Sequence, residues 1–148
     1  MENNNKVPTL EDLIKNTENF NKKYPDYDYK SNINLLQEII NLISNFKNFH
    51  KFLEDKCFDD YELPYIVFWE LLLYLEKCFF DNNQTEVINI FLYLSDIYKN
   101  WDIKVKDLIL VWLFENLDHF TWDLWDLLKK MPIDLKKVFL KYYSHYLK

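Results

Sequence analysis

The 148-residue sequence contains no glycine, and its 18 lysine and arginine positions are all lysine. Phosphate-binding loops, dinucleotide-binding fingerprints and nucleophile elbows need backbone conformations that glycine supplies, so we expect none of these enzyme sites. Without arginine the chain also lacks the forked donor that binds phosphates and carboxylates with two hydrogen bonds. Because no glycine can end a helix, we expect asparagine, aspartate and proline to do so.

Cysteine is scarce as well: Cys57 and Cys78 each lie in a Lys-Cys-Phe sequence. We expect two buried thiols in a reducing compartment and no disulfide. Neither the cysteines nor the three histidines have the spacing of a metal site. The carboxylates of Asp59 and Asp60 would disfavour a Cys57 thiolate, so that residue is not expected to be a nucleophile. We therefore expect no cofactor, no metal and no enzymatic activity.

Long apolar runs are missing too. No window of about 20 residues is free of charge, so no membrane span is expected. The N-terminus is polar and has no apolar leader, so we expect a cytoplasmic protein. The net charge of −6 disfavours nucleic-acid binding and favours a basic protein partner. Residues 1–118 carry a net charge of −9, whereas residues 119–148 carry +3.

The chain is rich in apolar and aromatic residues, which make up 49% and 19% of the sequence. This is enough to bury the core of one domain over residues 1–148, with residues 1–7 as a disordered tail. Apolar periodicity, N-cap residues such as Thr9 and Ser31, and proline positions predict an all-α fold. The seven predicted helices span about 9–23, 31–55, 63–80, 85–99, 103–117, 121–131 and 134–147.

The most apolar stretch is 63–117, which holds three of these helices. The helix over 103–117 has only a thin polar stripe, at Lys104, Asp107 and Glu115. A helix with so little polar surface must be covered on at least two sides, so we expect it to be central. An Asp102 cap before an apolar-rich second helix resembles the hairpins of HEAT repeats, which predicts HEAT-like antiparallel layers around 103–117.

Three loops interleave acidic and aromatic residues. Exposed aromatics are typical of interface hot spots, and carboxylates around them would steer a basic partner. The alternative is that the aromatics pack down onto the helices while the acids face water. The predicted partner-binding residues are Tyr27, Asp28, Tyr29, Asp59, Asp60, Tyr61, Glu62, Asp118, Trp122 and Asp123.

Three segments carry a family resemblance: Leu63-Pro-Tyr-Ile-Val-Phe68, the apolar helix at 86–94, and Val105-Lys-Asp-Leu-Ile-Leu-Val-Trp-Leu-Phe-Glu-Asn-Leu117. This layout resembles a family of small, all-helical bacterial proteins of unknown function, which in turn resemble the immunity components of toxin–immunity systems. The chain departs from the family pattern at Trp69-Glu70. The shared motifs are helix-packing signatures, and the resemblance implies a fold and a binding role but no catalytic residues.

Two functions remain open from the sequence. The first is an immunity-type protein that neutralises a cognate, basic bacterial toxin through the acidic, aromatic loops. The second is a helical scaffold or regulatory subunit that forms homo-oligomers or binds another protein. An enzyme is the third and most remote possibility, which a pocket holding two carboxylates of raised pKa would revive.

Overall fold

The computed structural model describes residues 7–24, 33–100, 103–110 and 129–143. Over these residues the protein is all-α, with seven helices and no β-strand, as the sequence predicts. The helices are α1 (Leu10–Lys23), α2 (Ile33–Asn45), α3 (Lys47–Asp55), α4 (Pro64–Phe80), α5 (Gln84–Asn100), α6 (Ile103–Asp107) and α7 (Ile133–Tyr143). Residues 108–110 continue α6 with π-helical geometry.

Helix α1 begins at a reciprocal pair of hydrogen bonds. The Asp12 backbone N–H donates to Thr9 Oγ1 over 3.1 Å, and the Thr9 N–H donates to Asp12 Oδ2 over 3.2 Å. This is a capping box in which aspartate takes the usual place of glutamate, and it satisfies donors that the first helical turn leaves unpaired. The predicted N-cap at Thr9 is confirmed.

The single helix predicted over 31–55 is wrong, because the chain breaks it into α2 and α3 at Phe46. Phe46 has φ −119° and ψ 80°, which takes it out of helical geometry. Just before the break, Asn45 Nδ2 donates to the Asn41 carbonyl over 2.7 Å. Such local side-chain bonds compete with helical backbone bonds, which explains why the helix ends in this asparagine-rich stretch.

Helix α4 begins at Pro64, as predicted, and ends in a Schellman motif. Asn82 adopts a left-handed conformation with φ 59°. The Asn83 N–H donates to the Cys78 carbonyl and the Asn82 N–H to the Phe79 carbonyl, over 2.8 and 3.2 Å. Asn83 then caps α5, since its Oδ1 accepts the Glu86 N–H over 3.3 Å. Asparagine therefore ends this helix in place of glycine, as expected.

The chain divides into two compact units, Met1–Glu70 and Leu71–Lys148, and the division falls inside α4. In the first unit α1 packs on α2 and α2 on α3; in the second, α5 packs on both α6 and α7. Each unit has an apolar core, with Phe49 and Phe68 fully buried in the first and Phe91 in the second. The prediction of one domain over 1–148 stays a prediction.

Some expectations fall on other parts of the chain. The predicted caps Ser31 and Asp102 and the helix over 121–131, apart from its last residues, lie outside the described residues. So do residues 1–6 of the predicted tail and residues 111–117 of the predicted central helix, so the HEAT-like layering stays a prediction. Among the helices that are described, none has the length and apolar character needed to cross a membrane.

Candidate functional site

The loop between α3 and α4, residues 56–63, contains four of the predicted partner-binding residues. It opens with a second Schellman motif, in which Cys57 adopts a left-handed conformation with φ 56°. The Phe58 N–H donates to the Leu53 carbonyl over 3.0 Å, and the Cys57 N–H to the Glu54 carbonyl over 2.9 Å. These bonds fix the direction in which the loop leaves α3.

Aromatic contacts hold the middle of this loop against α3. The Tyr61 ring meets the Phe58 ring edge-on, with centroids 5.0 Å apart, and the buried His50 ring at 6.1 Å. Such edge-to-face pairs stabilise beyond the apolar area they bury. Burial, followed by the negative charges of Glu54 and Asp59, raises the pKa of Tyr61 to about 12. Tyr61 is thus half-buried and neutral, and its ring anchors the loop to α3.

The acids of the loop occupy two different environments. Asp59 and Asp60 are exposed, and a turn closes behind them where the Leu63 N–H donates to the Asp60 carbonyl over 3.0 Å. Glu62 is half-buried, and its Oε2 is shielded from solvent with no hydrogen-bond partner among the described residues. Burial and the charges of Asp60 and Asp59 raise the pKa of Glu62 against the opposing hydrogen bond from its own backbone.

At this loop the geometry matches the alternative interpretation, and the partner-binding role of its acids stays a prediction. The aromatics Phe58 and Tyr61 pack down onto α3, whereas Asp59 and Asp60 face water. A carboxylate pair on a loop that is packed against α3 is suited to attract a cation. Because Phe58 and Tyr61 are packed against the protein, aromatic contacts with a partner would have to come from other residues. The remaining predicted site residues lie outside the described residues: Tyr27, Asp28, Tyr29, Asp118, Trp122 and Asp123.

The two cysteines differ from their predicted environment in one respect. Cys78 is buried as expected, and its burial raises the pKa of the thiol. Cys57 is exposed, because the left-handed residue of a Schellman motif lies at the outer edge of the turn. Both thiols are free. In the described parts of the chain, no three histidine, cysteine or acidic side chains come together as a metal site.

Two polar contacts between side chains were not predicted from the sequence. The buried hydroxyl of Tyr74 in α4 donates to Glu86 Oε2 in α5 over 2.5 Å, and the pKa of Tyr74 is raised by burial and then by this bond. Lys56 pairs with Glu70 over 2.5 Å and lies over the Phe52 ring. Tyr74 and Glu86 are among the polar residues of two successive, largely apolar helices, and that placement was the available signal.

A second feature lies in the C-terminal unit, where α5, α6 and α7 enclose a cleft of about 340 Å³. Lys99 of α5 and Asp134 of α7 form an ion pair of 2.5 Å beside it. This pair raises the pKa of Lys99 and lowers that of Asp134. The net positive charge of residues 119–148 was the sequence signal for this region, but no site was predicted there.

The chain is similar to a known protein family. The profile of a family described as a domain of unknown function, DUF7674, matches residues 34–147. No curated protein and no solved structure matches the chain.

Proposed function

The chain belongs to the DUF7674 family, and on that premise we propose that it is a cytoplasmic, immunity-type protein. It binds a cognate bacterial toxin of basic surface and neutralises it by covering the active site or a neighbouring surface. The acidic, aromatic loops form the binding face, and the helices hold them in place. The proposal rests on the resemblance of 63–117 to immunity-type proteins and on the charge and geometry of the loop at 56–63.

One observation carries the proposal: Asp59 and Asp60 are exposed side by side on a loop whose backbone and aromatics are ordered. A Schellman motif fixes one end of the loop, and Tyr61 packs against Phe58 and His50 in its middle. A preorganised loop loses little conformational entropy on binding, so its contacts contribute more of their energy to affinity. The chain's net charge of −6 adds long-range attraction for a basic partner.

Binding would proceed in two physical stages. Exposed carboxylates at the edge of an interface mainly raise the association rate, because they steer a partner of opposite charge. Close contact would then bring a lysine or arginine of the partner next to the half-buried Glu62. A rotation of this side chain would present to it the shielded Oε2, which has no hydrogen-bond partner among the described residues. A buried acceptor gains free energy when it acquires a charged donor.

The test uses the product of the neighbouring gene as the candidate toxin, with association rates measured by surface plasmon resonance. Asp59→Lys combined with Asp60→Lys should slow association about tenfold at low salt, and the difference should shrink at high salt. The matched control is Glu18→Lys combined with Glu11→Lys, two exposed acids on α1, which should change the rate much less. Equal slowing by both pairs would contradict the assignment of the loop as the binding face.

A scaffold that forms homo-oligomers is the second candidate, and a different observation favours it. Ile88 and Leu92 lie one turn apart on α5, and both are exposed, Leu92 at 48%. Light scattering of the purified protein separates the two functions. An immunity-type protein that acts alone scatters as a monomer of 18.4 kDa, whereas a scaffold scatters as a multiple that Leu92→Asp returns to the monomer.

A further inference from the structure

The cleft between α5, α6 and α7 combines an apolar side with a cationic one. Leu135 and Val138 of α7 form the apolar side, while Ser95 and Tyr98 of α5 and Lys106 of α6 contribute polar groups. Its volume of about 340 Å³ lies within the range of roughly 300–1,000 Å³ typical of small-molecule sites. Such sites usually pair apolar walls with a few placed polar groups, as this cleft does.

Lys106 supplies a positive charge that no acid of the described residues neutralises. Its Nζ lies over the Tyr98 ring, 5.4 Å from the ring centroid. The ring face attracts the ammonium group and holds it at the cleft. Because an aromatic face takes up none of the three ammonium N–H donors as a carboxylate would, the group keeps hydrogen-bonding capacity for an anion.

Among the described residues that line the cleft, the one carboxylate is already paired. Asp134 Oδ2 lies 2.5 Å from Lys99 Nζ, and this bond lowers the pKa of Asp134, so the group is ionised at neutral pH. The opposite charges of Lys99 and Asp134 cancel, so Lys106 supplies the single remaining charge among the described residues that line the cleft. Asp96 of α5 acts electrostatically on Lys99 but does not line the cleft. Among the described lining residues, an anion would therefore meet attraction without an opposing unpaired carboxylate.

The surroundings of the cleft are basic in a chain that is acidic overall. Helix α7 carries Lys136, Lys137 and Lys141 against Asp134, and α6 carries two lysines against Asp107. The loop proposed to bind a toxin is acidic, so the cleft has the opposite chemistry and goes beyond that function. Its basic character is the part of the charge pattern that the toxin-binding proposal leaves unexplained.

We propose that the cleft between α5, α6 and α7 binds a small organic monoanion, a carboxylate attached to a short apolar body. The carboxylate accepts hydrogen bonds from Lys106 Nζ, and the apolar body lies along Leu135 and Val138. One uncompensated ammonium group matches one negative charge. The absence of arginine from the chain removes the forked donor that favours phosphate groups.

The experiment is a titration of the full chain with butanoate, followed by amide and methyl chemical shifts in NMR. Shifts should saturate and should be concentrated at Ser95, Tyr98, Leu135 and Val138. Butanamide, the neutral analogue of the same shape, should bind at least about fivefold more weakly, as expected when one partly exposed charge pair is lost. Inorganic phosphate should also bind more weakly, because it has no apolar body.

Two variants test the residues in separate ways. Lys106→Gln removes the charge and leaves a polar side chain one atom shorter, and it should weaken butanoate binding about fivefold. Its matched control is Lys104→Gln, the same charge change at an exposed position of α6 that does not line the cleft, which should leave binding unchanged. Val138→Phe keeps Lys106 but fills the apolar side, and should reduce binding by a larger factor.

Several outcomes would overturn the proposal. Shifts that do not saturate or that spread over all lysines would mean nonspecific ion binding. Equal affinity for butanamide would remove the role of the charge, and equal or tighter binding of phosphate would remove the role of the apolar side. Equal losses in the Lys106 and Lys104 variants would show that only net charge matters. Melting temperatures of all variants establish that the folded chain is being compared.

Discussion

Residue 57 is in a conformation that its side chain disfavours. A residue other than glycine in the left-handed region carries a steric cost of roughly 1–2 kcal/mol, and asparagine and aspartate tolerate it best. Cys57 has φ 56° and neither kind of side chain, whereas Asn82 has φ 59° and is well suited to it. The left-handed ends of α3 and α4 are therefore geometrically alike but unequal in backbone energy.

Cys57→Gly should raise the free energy of unfolding by about 0.5–1 kcal/mol. Relief of the steric cost exceeds the extra entropy that glycine gives the unfolded chain, and the exposed thiol contributes little packing. Urea denaturation followed by circular dichroism measures the change. Cys57→Ala removes the thiol but keeps the Cβ atom, so it should leave stability nearly unchanged. A similar gain in both variants would assign the effect to the thiol.

Tyr74→Phe should lower the free energy of unfolding by about 1–2 kcal/mol. The hydroxyl is buried, and its removal leaves the partly buried Glu86 without its 2.5 Å donor. Tyr98→Phe is the control, since it makes the same chemical change at a half-buried tyrosine of α5. A double-mutant cycle with Glu86→Gln isolates the pair, and a coupling energy near zero would contradict a structural role for the bond.

Glu62→Gln should stabilise the chain at neutral pH but not in acid. Because the pKa of Glu62 is raised in the folded chain, its contribution favours folding below the ordinary glutamate pKa and is lost as pH rises through the raised pKa. Removing the charge should gain about 0.5 kcal/mol at pH 7, a small value because solvent screens a half-buried group. Denaturation at pH 7 and pH 4 measures this, and Glu18→Gln on exposed α1 is the control.

At the scale of helices, the ends are set by short side chains acting where glycine is missing. Asparagine both ends α4 and begins α5 at adjacent positions, 82 and 83. Threonine and aspartate begin α1, and a proline begins α4. Each of these residues fixes the backbone through its own geometry or hydrogen bonds, so the boundaries do not depend on tertiary contacts alone.

Thr9→Ala should loosen the start of α1 more than it lowers global stability. It removes one side-chain hydrogen bond of the capping box, for which about 1 kcal/mol is typical. Amide hydrogen exchange should speed up over the first turn of α1 and stay unchanged in α5. Thr85→Ala in the exposed first turn of α5 is the matched substitution and should leave α1 exchange as it is. Unchanged exchange in the Thr9 variant would contradict the cap.

The boundaries that the sequence predicts well are those with a local cause. Thr9, Pro64 and Asn82 act through their own side chains or rings, so their positions could be identified without a structure. The break at Phe46 could not be placed in this way, because phenylalanine has no helix-breaking tendency and asparagine recurs along the stretch without marking one position. The left-handed Cys57 was missed for the same reason, since a cysteine gives no signal of that conformation.

The candidate loop was predicted in composition but not in arrangement. Alternation of acids and aromatics marks residues 58–62 as unusual, yet it does not say which side chains face water. The packing of the loop determines which side chains face water. Tyr61 contacts Phe58 and His50, and among residues 58–62 only Asp59 and Asp60 are exposed. The cleft beside α7 was missed because α7 is far along the chain from α5 and α6, and no local pattern encodes their meeting.

Over the whole molecule, charge is separated along the chain. The net charge of −6 arises from residues 1–118, and the basic excess lies in residues 119–148. Net charge keeps folded proteins apart in solution, and its loss near the isoelectric point promotes association. Once that repulsion is lost, exposed apolar side chains would form contacts between molecules. Examples are Ile103, which is 73% exposed, and Ile133, which is 67% exposed.

Solubility should therefore pass through a minimum near pH 5, where the sequence isoelectric point of about 5.0 lies. Turbidity and light scattering between pH 4 and pH 8 at low salt measure it. A variant with two exposed lysines made glutamine, Lys22→Gln and Lys137→Gln, should move the minimum to lower pH. A minimum that stays in place would show that apolar contacts rather than net charge limit solubility.

The Schellman motif after α4 also bears on how this protein ages chemically. Asparagine deamidates when the backbone nitrogen of the following residue attacks its side-chain carbonyl and closes a five-membered imide. At Asn82 that nitrogen belongs to Asn83, and its N–H is bound to the Cys78 carbonyl over 2.8 Å. The turn therefore restrains the attacking atom, and in a chain this rich in asparagine, Asn82 should be among the slowest sites to deamidate during storage.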